Sequence, residues 1–165
     1  MKTALASILT ILTVTATAGA QLAPSPPPPP TPYGAPIGIE AAKRLMAAAE
    51  AHAIKNNWTM AIVILDSTGH MVMLEKLDNT QYGSVAVAED KARSALYYKR
   101  PTKVFEDLVA QGGIGLRTLA LRGATPLEGG IPIITDSKII GAIGVSGGSS
   151  VQDGQVAKAG ADAAK

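Results

Sequence analysis

The 165-residue chain contains no cysteine, one tryptophan, one phenylalanine and two histidines. Without cysteine there are no disulfides, thiolate metal sites, iron–sulfur clusters, thioether-linked c-type haem or cysteine nucleophile. Charge is also scarce, at 17% of residues, and nearly balanced, with 15 Lys and Arg against 13 Asp and Glu. No strong field exists to recruit nucleic acid or an anionic membrane surface, so neither is expected as a partner. Walker loops, a G-x-G-x-x-G opening a strand–helix unit and a histidine pair for metal hydrolysis are missing as well. What remains is a hydrophobic content of 47%, sufficient for one globular domain with a proper core.

The N-terminus reads as an export signal. Lys2 supplies a short basic start, residues 4–18 are apolar and threonine-rich, and Ala18-Gly19-Ala20 has the small-x-small form of a signal peptidase site. The apolar part is shorter than the roughly 20 residues that span a bilayer, and no basic stop-transfer flank follows. Cleavage after residue 20 is expected, leaving a periplasmic or secreted protein with 14 basic and 13 acidic residues and no membrane attachment. Residues 21–36 follow as a proline-rich linker, since prolines cannot donate backbone hydrogen bonds and favour an extended polyproline form.

The folded domain is expected over residues 37–165. Ile39, Ala42, Leu45, Met46, Ala49 and Ala53 fall on one side at about 100° per residue, which predicts a helix over 39–54. Residues 60–65 and 70–75, joined by Asp66-Ser67-Thr68-Gly69, predict an antiparallel hairpin. A second helix is expected over 84–98, ended by Pro101. A third starts at Thr102, which can cap it, and is closed by Gly112-Gly113. Residues 117–122 read as a strand. Residues 131–134 and 138–145 flank Asp136-Ser137 as a second hairpin, with Pro132 at an edge or a strand start. Ser150 and Asp153, three residues apart, signal the start of a last helix. Five strands and four helices in this order predict an α/β (α+β) fold with a mostly antiparallel sheet flanked by helices.

Gly129-Gly130-Ile131-Pro132-Ile133, then Gly141-Ala142-Ile143-Gly144-Val145-Ser146-Gly147-Gly148, then Gln152-Asp153, resemble the C-terminal signature of the GlcG/HbpS-like family. Ile64-Leu65-Asp66 with Gly69, and Lys91-Ala92, fit its N-terminal half. The resemblance covers the whole domain and implies a profilin-like sandwich on a five-stranded antiparallel sheet, assembled into homo-oligomers. It implies haem as the ligand, possible roles being a haem buffer or redox-sensor accessory. It also implies an iron contact from the junction of the second and third helices, at the positions of Thr102 and Lys103. Lys103 stands where a histidine ligand would be, so a strong imidazole ligand is absent there.

The second helix offers a partial platform: Val87, Lys91, Ser94 and Tyr98 share a stripe, with Arg100 just beyond. Lys91 suits a carboxylate and Tyr98 a flat ligand, although the same stripe also reads as a solvated face or a subunit interface. His52, at the flank of the first helix, and His70, after the first turn, are the alternative haem ligands; ordinary boundary histidines have the same pattern. Gly144-Val145-Ser146-Gly147-Gly148 matches G-x-S-x-G, yet no histidine follows Ser146, as that hydrolase order requires. The Gly147-Gly148 turn instead offers free N–H groups to an anion, bordered by Gln152 and Asp153, with Asp153 either capping the helix or touching the ligand. No catalytic residue is assigned. A binding module for a small organic acid or another cofactor, or an enzyme acting on such an acid through a group such as Asp78 or Glu128, is the alternative to a haem binder.

Overall fold

The structure is a computed structural model that describes residues 29–164. The expected signal peptide lies outside the described residues. Within them the order is α1 (Ile39–Lys55), β1 (Ala61–Asp66), β2 (Met71–Lys76), α2 (Ser84–Tyr98), α3 (Lys103–Gln111), a 3₁₀ stretch (Gly113–Ala120), β3 (Gly130–Thr135), β4 (Lys138–Ser146) and α4 (Ser150–Asp162). The strands form one antiparallel sheet in the order β2-β1-β4-β3.

Strand β1 is inside the sheet, and helices cover both of its faces. Ile62 and Ile64 join Ile143 and Val145 under α1 and α4, against Leu45, Met46, Ala49, Val156 and Ala157. Ala61, Val63 and Leu65 join Ala142 on the other face, under Ala88, Ala92, Ala95 and Leu96 of α2. A strand buried on both faces needs an unbroken apolar run, which is the pattern residues 60–65 carry. The β3–β4 hairpin closes through Asp136 and Ser137, with φ of 49° and 59°, the positive-φ pair of a two-residue turn that follows strand twist. Pro132 sits in β3, an edge strand, as its missing N–H requires.

The sheet has four strands, not five. The expected fifth, residues 117–122, folds largely into the 3₁₀ stretch. Gly112 and Gly113 take positive φ and turn the chain back onto α3 so closely that a Cβ on Gly115 would lie 1.9 Å from the Leu108 carbonyl oxygen. The buried positions Gly115 and Thr118 are three apart, the period of a 3₁₀ helix and not of a strand. Two expected caps also shift. Ser149, not Ser150, caps α4, in a reciprocal box with Gln152. Thr102 precedes α3 without a side-chain capping bond.

Helix α2 seats on a bare patch of the sheet. Gly130 and Gly144 are register partners on adjacent strands. A Cβ on Gly144 would come within 2.0 Å of the Ala88 carbonyl oxygen, and one on Gly130 within 2.2 Å of that of Lys91. Backbone cannot yield as a side-chain tip can. Gly144→Ala is therefore expected to destabilise the fold by about 3 kcal/mol, the upper end for overpacking. Gly38→Ala, with open space around it, serves as the control. Urea unfolding that finds the two variants equally stable would refute the close-seating account.

Candidate functional site

The second and third helices meet at a turn that the sequence makes unavoidable. Lys99 takes a left-handed conformation, φ 55°, after the last residue of α2, and Pro101 cannot continue a helix. Thr102 then anchors the junction to β3. Its Oγ1 accepts the Gly130 N–H at 2.9 Å and its own N–H donates to the Gly130 carbonyl at 3.0 Å, with the side chain fully buried. The hydroxyl expected to face iron is thus turned into the fold. Lys103 is exposed and pairs with Asp107 at 2.8 Å.

Beside this junction lies an open cleft of about 650 Å³, lined by Tyr97, Tyr98, Lys99, Arg100 and Val104 together with residues 29–31. Tyr98 is held by donation from its hydroxyl to the Arg122 carbonyl at 2.7 Å and by edge-on contact with Phe105, ring centroids 5.2 Å apart. Arg100 is oriented by its Nε, which donates to the Tyr98 carbonyl at 3.0 Å and sets the guanidinium over the Phe105 ring. The Tyr97 hydroxyl accepts from Arg93 at 3.4 Å. Tyr98 and Arg100 are thus brought together as the sequence suggests. Tyr97, Lys99 and Val104 join them without having been singled out, because residues next to each other lie on different faces of a helix, and only the end of α2 lets the run Tyr97-Tyr98-Lys99-Arg100 converge.

Lys91 and Asp153 belong elsewhere. Lys91 is 2% exposed, so its stripe is not a surface platform. Its Nζ donates to Asp153 Oδ2 at 2.7 Å and to the Val145 carbonyl at 3.1 Å, while Asp153 Oδ1 accepts the Gly148 N–H at 2.9 Å. Lys91 and the Gly147-Gly148 turn do converge, but on a carboxylate of the chain itself. Asp153 neither caps α4 nor leaves an anion place open there. Burial pushes its carboxyl above the usual range, against the opposing pull of Lys91 and the N–H groups of Gly148 and Gly147. Gln152 is committed to the Ser149 backbone, Ser94 Oγ accepts the Thr125 N–H, and Ser146 is buried at the end of β4.

The histidines lie apart from the cleft lining. His52 tilts against Trp58, ring centroids 6.0 Å apart, and Trp58 packs on the core. His70 is exposed at the β1–β2 turn, with Nδ1 2.7 Å from Thr68 Oγ1. Of the acids, Glu75 is raised by burial and by neighbouring Glu50. Glu128 is raised by burial, and by Glu106 and Asp107 against Lys103. Among the described residues no group of three or more His, Asp or Glu side chains could hold a metal ion, and no helix is long and apolar enough to cross a membrane.

Removing one member of a buried ion pair leaves the other charge without compensation, so Lys91→Met is expected to lose about 3–5 kcal/mol at neutral pH. The loss should shrink on acidification. A carboxyl whose folded pKa is raised takes up its proton in the folded state first, and the neutral acid needs no counter-charge. Urea midpoints of wild type and variant across pH 4–8 test this; a gap that widens toward acid contradicts it.

Residues 37–162 match the family model described as "Haem degrading protein HbpS-like". The chain is 40% identical over 107 residues to Protein GlcG of Escherichia coli (strain K12), covering 65% of this chain and 78% of that protein. Among solved structures, HbpS superposes with a TM-score of 0.69 at 27% identity, covering 90% of this chain and 97% of its own. A PduOC–haem complex superposes with a TM-score of 0.69 at 25% identity, covering 78% and 94%. With the two-faced sheet and the glycine-patterned β3–β4 segment already in place, the match over 37–162 shows that the chain belongs to the HbpS-like family.

Proposed function

We propose that this is an exported haem-binding protein that holds haem in the cleft at the α2–α3 junction, on the profilin-like scaffold the family resemblance implies. The observation that carries the reading is the lining of that cleft, which includes Tyr97, Tyr98 and the apolar Val104 together with the cations Lys99 and Arg100. A macrocycle needs apolar and aromatic contact, and its propionates need cationic partners. The volume of about 650 Å³ falls in the ordinary range for ligand pockets. The haem complex of the structural neighbour and the family description point the same way.

The donor set fits the macrocycle better than it fits the iron. No histidine lines the cleft, the two tyrosine hydroxyls already have partners, and the Thr102 hydroxyl is buried. Binding would rest on contact with the ring and on Arg100, giving a loosely held, exchangeable haem, as a buffer or a redox-sensor accessory requires. Lys2, the apolar stretch over 4–18 and Ala18-Gly19-Ala20 support export. Ile114, Leu116, Leu119 and Leu121 are large apolar side chains left exposed on and just after the 3₁₀ stretch, surface of the kind a homo-oligomer covers. The small-acid alternative is weaker, because Asp153 already occupies the anion position at the Gly147-Gly148 turn.

Haem titration of residues 21–165, followed by absorbance, tests the reading. Saturable binding with a Soret shift is expected. Arg100→Ala should weaken it by about tenfold, the loss of about 1.4 kcal/mol, and His52→Ala should leave it unchanged. Absence of saturable binding would remove haem as the ligand.

A further inference from the structure

The last described residues of the proline-rich linker do not trail away from the domain. Strand β1 ends opposite Gly141, which leaves the first residues of β4 without a partner on that side. The incoming chain fills the gap. Tyr33 forms a parallel bridge with Ile139. The Ile139 N–H donates to the Pro32 carbonyl at 2.9 Å, and the Gly34 and Ile37 N–H groups donate to Ile139 and Ile140 at 2.8 and 2.9 Å. With the segment in place Ile139 is fully buried, and the Pro32 carbonyl is the partner its backbone N–H needs.

Side chains tie the same segment to the end of α2. The Tyr33 hydroxyl donates to the Leu96 carbonyl at 2.9 Å. Lys99 Nζ lies 4.2 Å from the centre of the Tyr33 ring and donates to the Thr31 carbonyl at 3.0 Å. Its left-handed backbone, unusual for a residue with a Cβ, brings the ammonium to that position. The result is that Pro29, Pro30 and Thr31 line the same cleft as Tyr97, Tyr98 and Val104. Residues 29–34 of this segment lie N-terminal to the residues matched by the family model, 37–162, whereas their partners Leu96, Lys99 and Ile139 lie within them.

We propose that residues 29–33 are a built wall of the ligand cleft, and that Tyr33 and Lys99 are positioning residues that hold it. The wall sets the ligand class. Prolines and two tyrosines together offer ring contacts that favour a ligand with a flat ring system. With Lys99 bound to the segment, Arg100 is left as the cation for the carboxylate of the ligand. The inference rests on the cleft being the haem site, and the test separates the two.

Tyr33→Ala and Lys99→Met are compared with the wild-type mature protein by two readouts, after circular dichroism confirms the fold of each. The first is nitration by tetranitromethane of the peptide carrying Tyr97 and Tyr98, read by mass spectrometry; the second is haem titration. Both variants are expected to be nitrated several-fold faster and to bind haem about tenfold more weakly. Unchanged nitration in both overturns the wall. Faster nitration with unchanged haem affinity overturns its role in the ligand site and leaves the haem reading standing. A wild-type protein that takes up no haem sinks that reading, and nitration alone then decides whether the wall exists.

Discussion

Helix α2 lies closer to the sheet than any side chain on the facing strand positions would allow, and the rest of the structure depends on this contact. Gly130 and Gly144 clear the space. The small residues Ala88, Ala92 and Ala95 fill it. Lys91 then reaches past the sheet to Asp153 on α4, so the helix on one face is joined by an ion pair to a helix on the other. Charges this deeply buried contribute less to net stability than to uniqueness of arrangement, since the desolvation of both offsets much of their attraction. The pair ties α2 to β4 through the Val145 carbonyl and to the Gly147-Gly148 turn through Asp153.

The position of the cleft follows from these contacts. Because α2 is fixed along its length, its end is fixed too, and the break at Lys99 and Pro101 delivers two tyrosines and two cations to one place. Thr102 contributes by anchoring rather than by contact. Its two bonds to Gly130 join the start of α3 to the same glycine that seats α2. Scaffold and cleft therefore share residues. The glycine-rich segment that marks the family is explained by packing, without any ligand at the glycines themselves.

Polar residues in this fold divide by depth more than by type. Lys91, Asp153, Thr102 and Ser94 are chemically able to bind a ligand, and each is buried with an internal partner. Arg100, Tyr97 and Tyr98 are ordinary surface residue types, and they gather around open space. Sequence gives the chemistry of a side chain directly but not its depth. Lys91 and Tyr98 are seven residues apart on one helical stripe, yet the first is buried against Val145 and Asp153 and the second lines the open cleft.

Local pattern alone determined α1, α2, the two hairpins and the family, because periodicity, turn residues and glycine spacing act over a few neighbours, and it narrowed Pro132 to an edge strand or a strand start. That Tyr98 and Arg100 lie close together was legible for the same reason, both being at a helix end marked by Pro101. Only the tertiary structure decided the rest. Residues 117–122 have strand-like apolarity, but the fold back onto α3 at Gly115 leaves them no sheet edge to join. The pairing of Lys91 with Asp153, and of Tyr33 with the end of α2, joins residues more than 60 positions apart. Whether a lysine serves a ligand or a buried carboxylate is settled by which distant segment packs above it, and no local pattern carries that information.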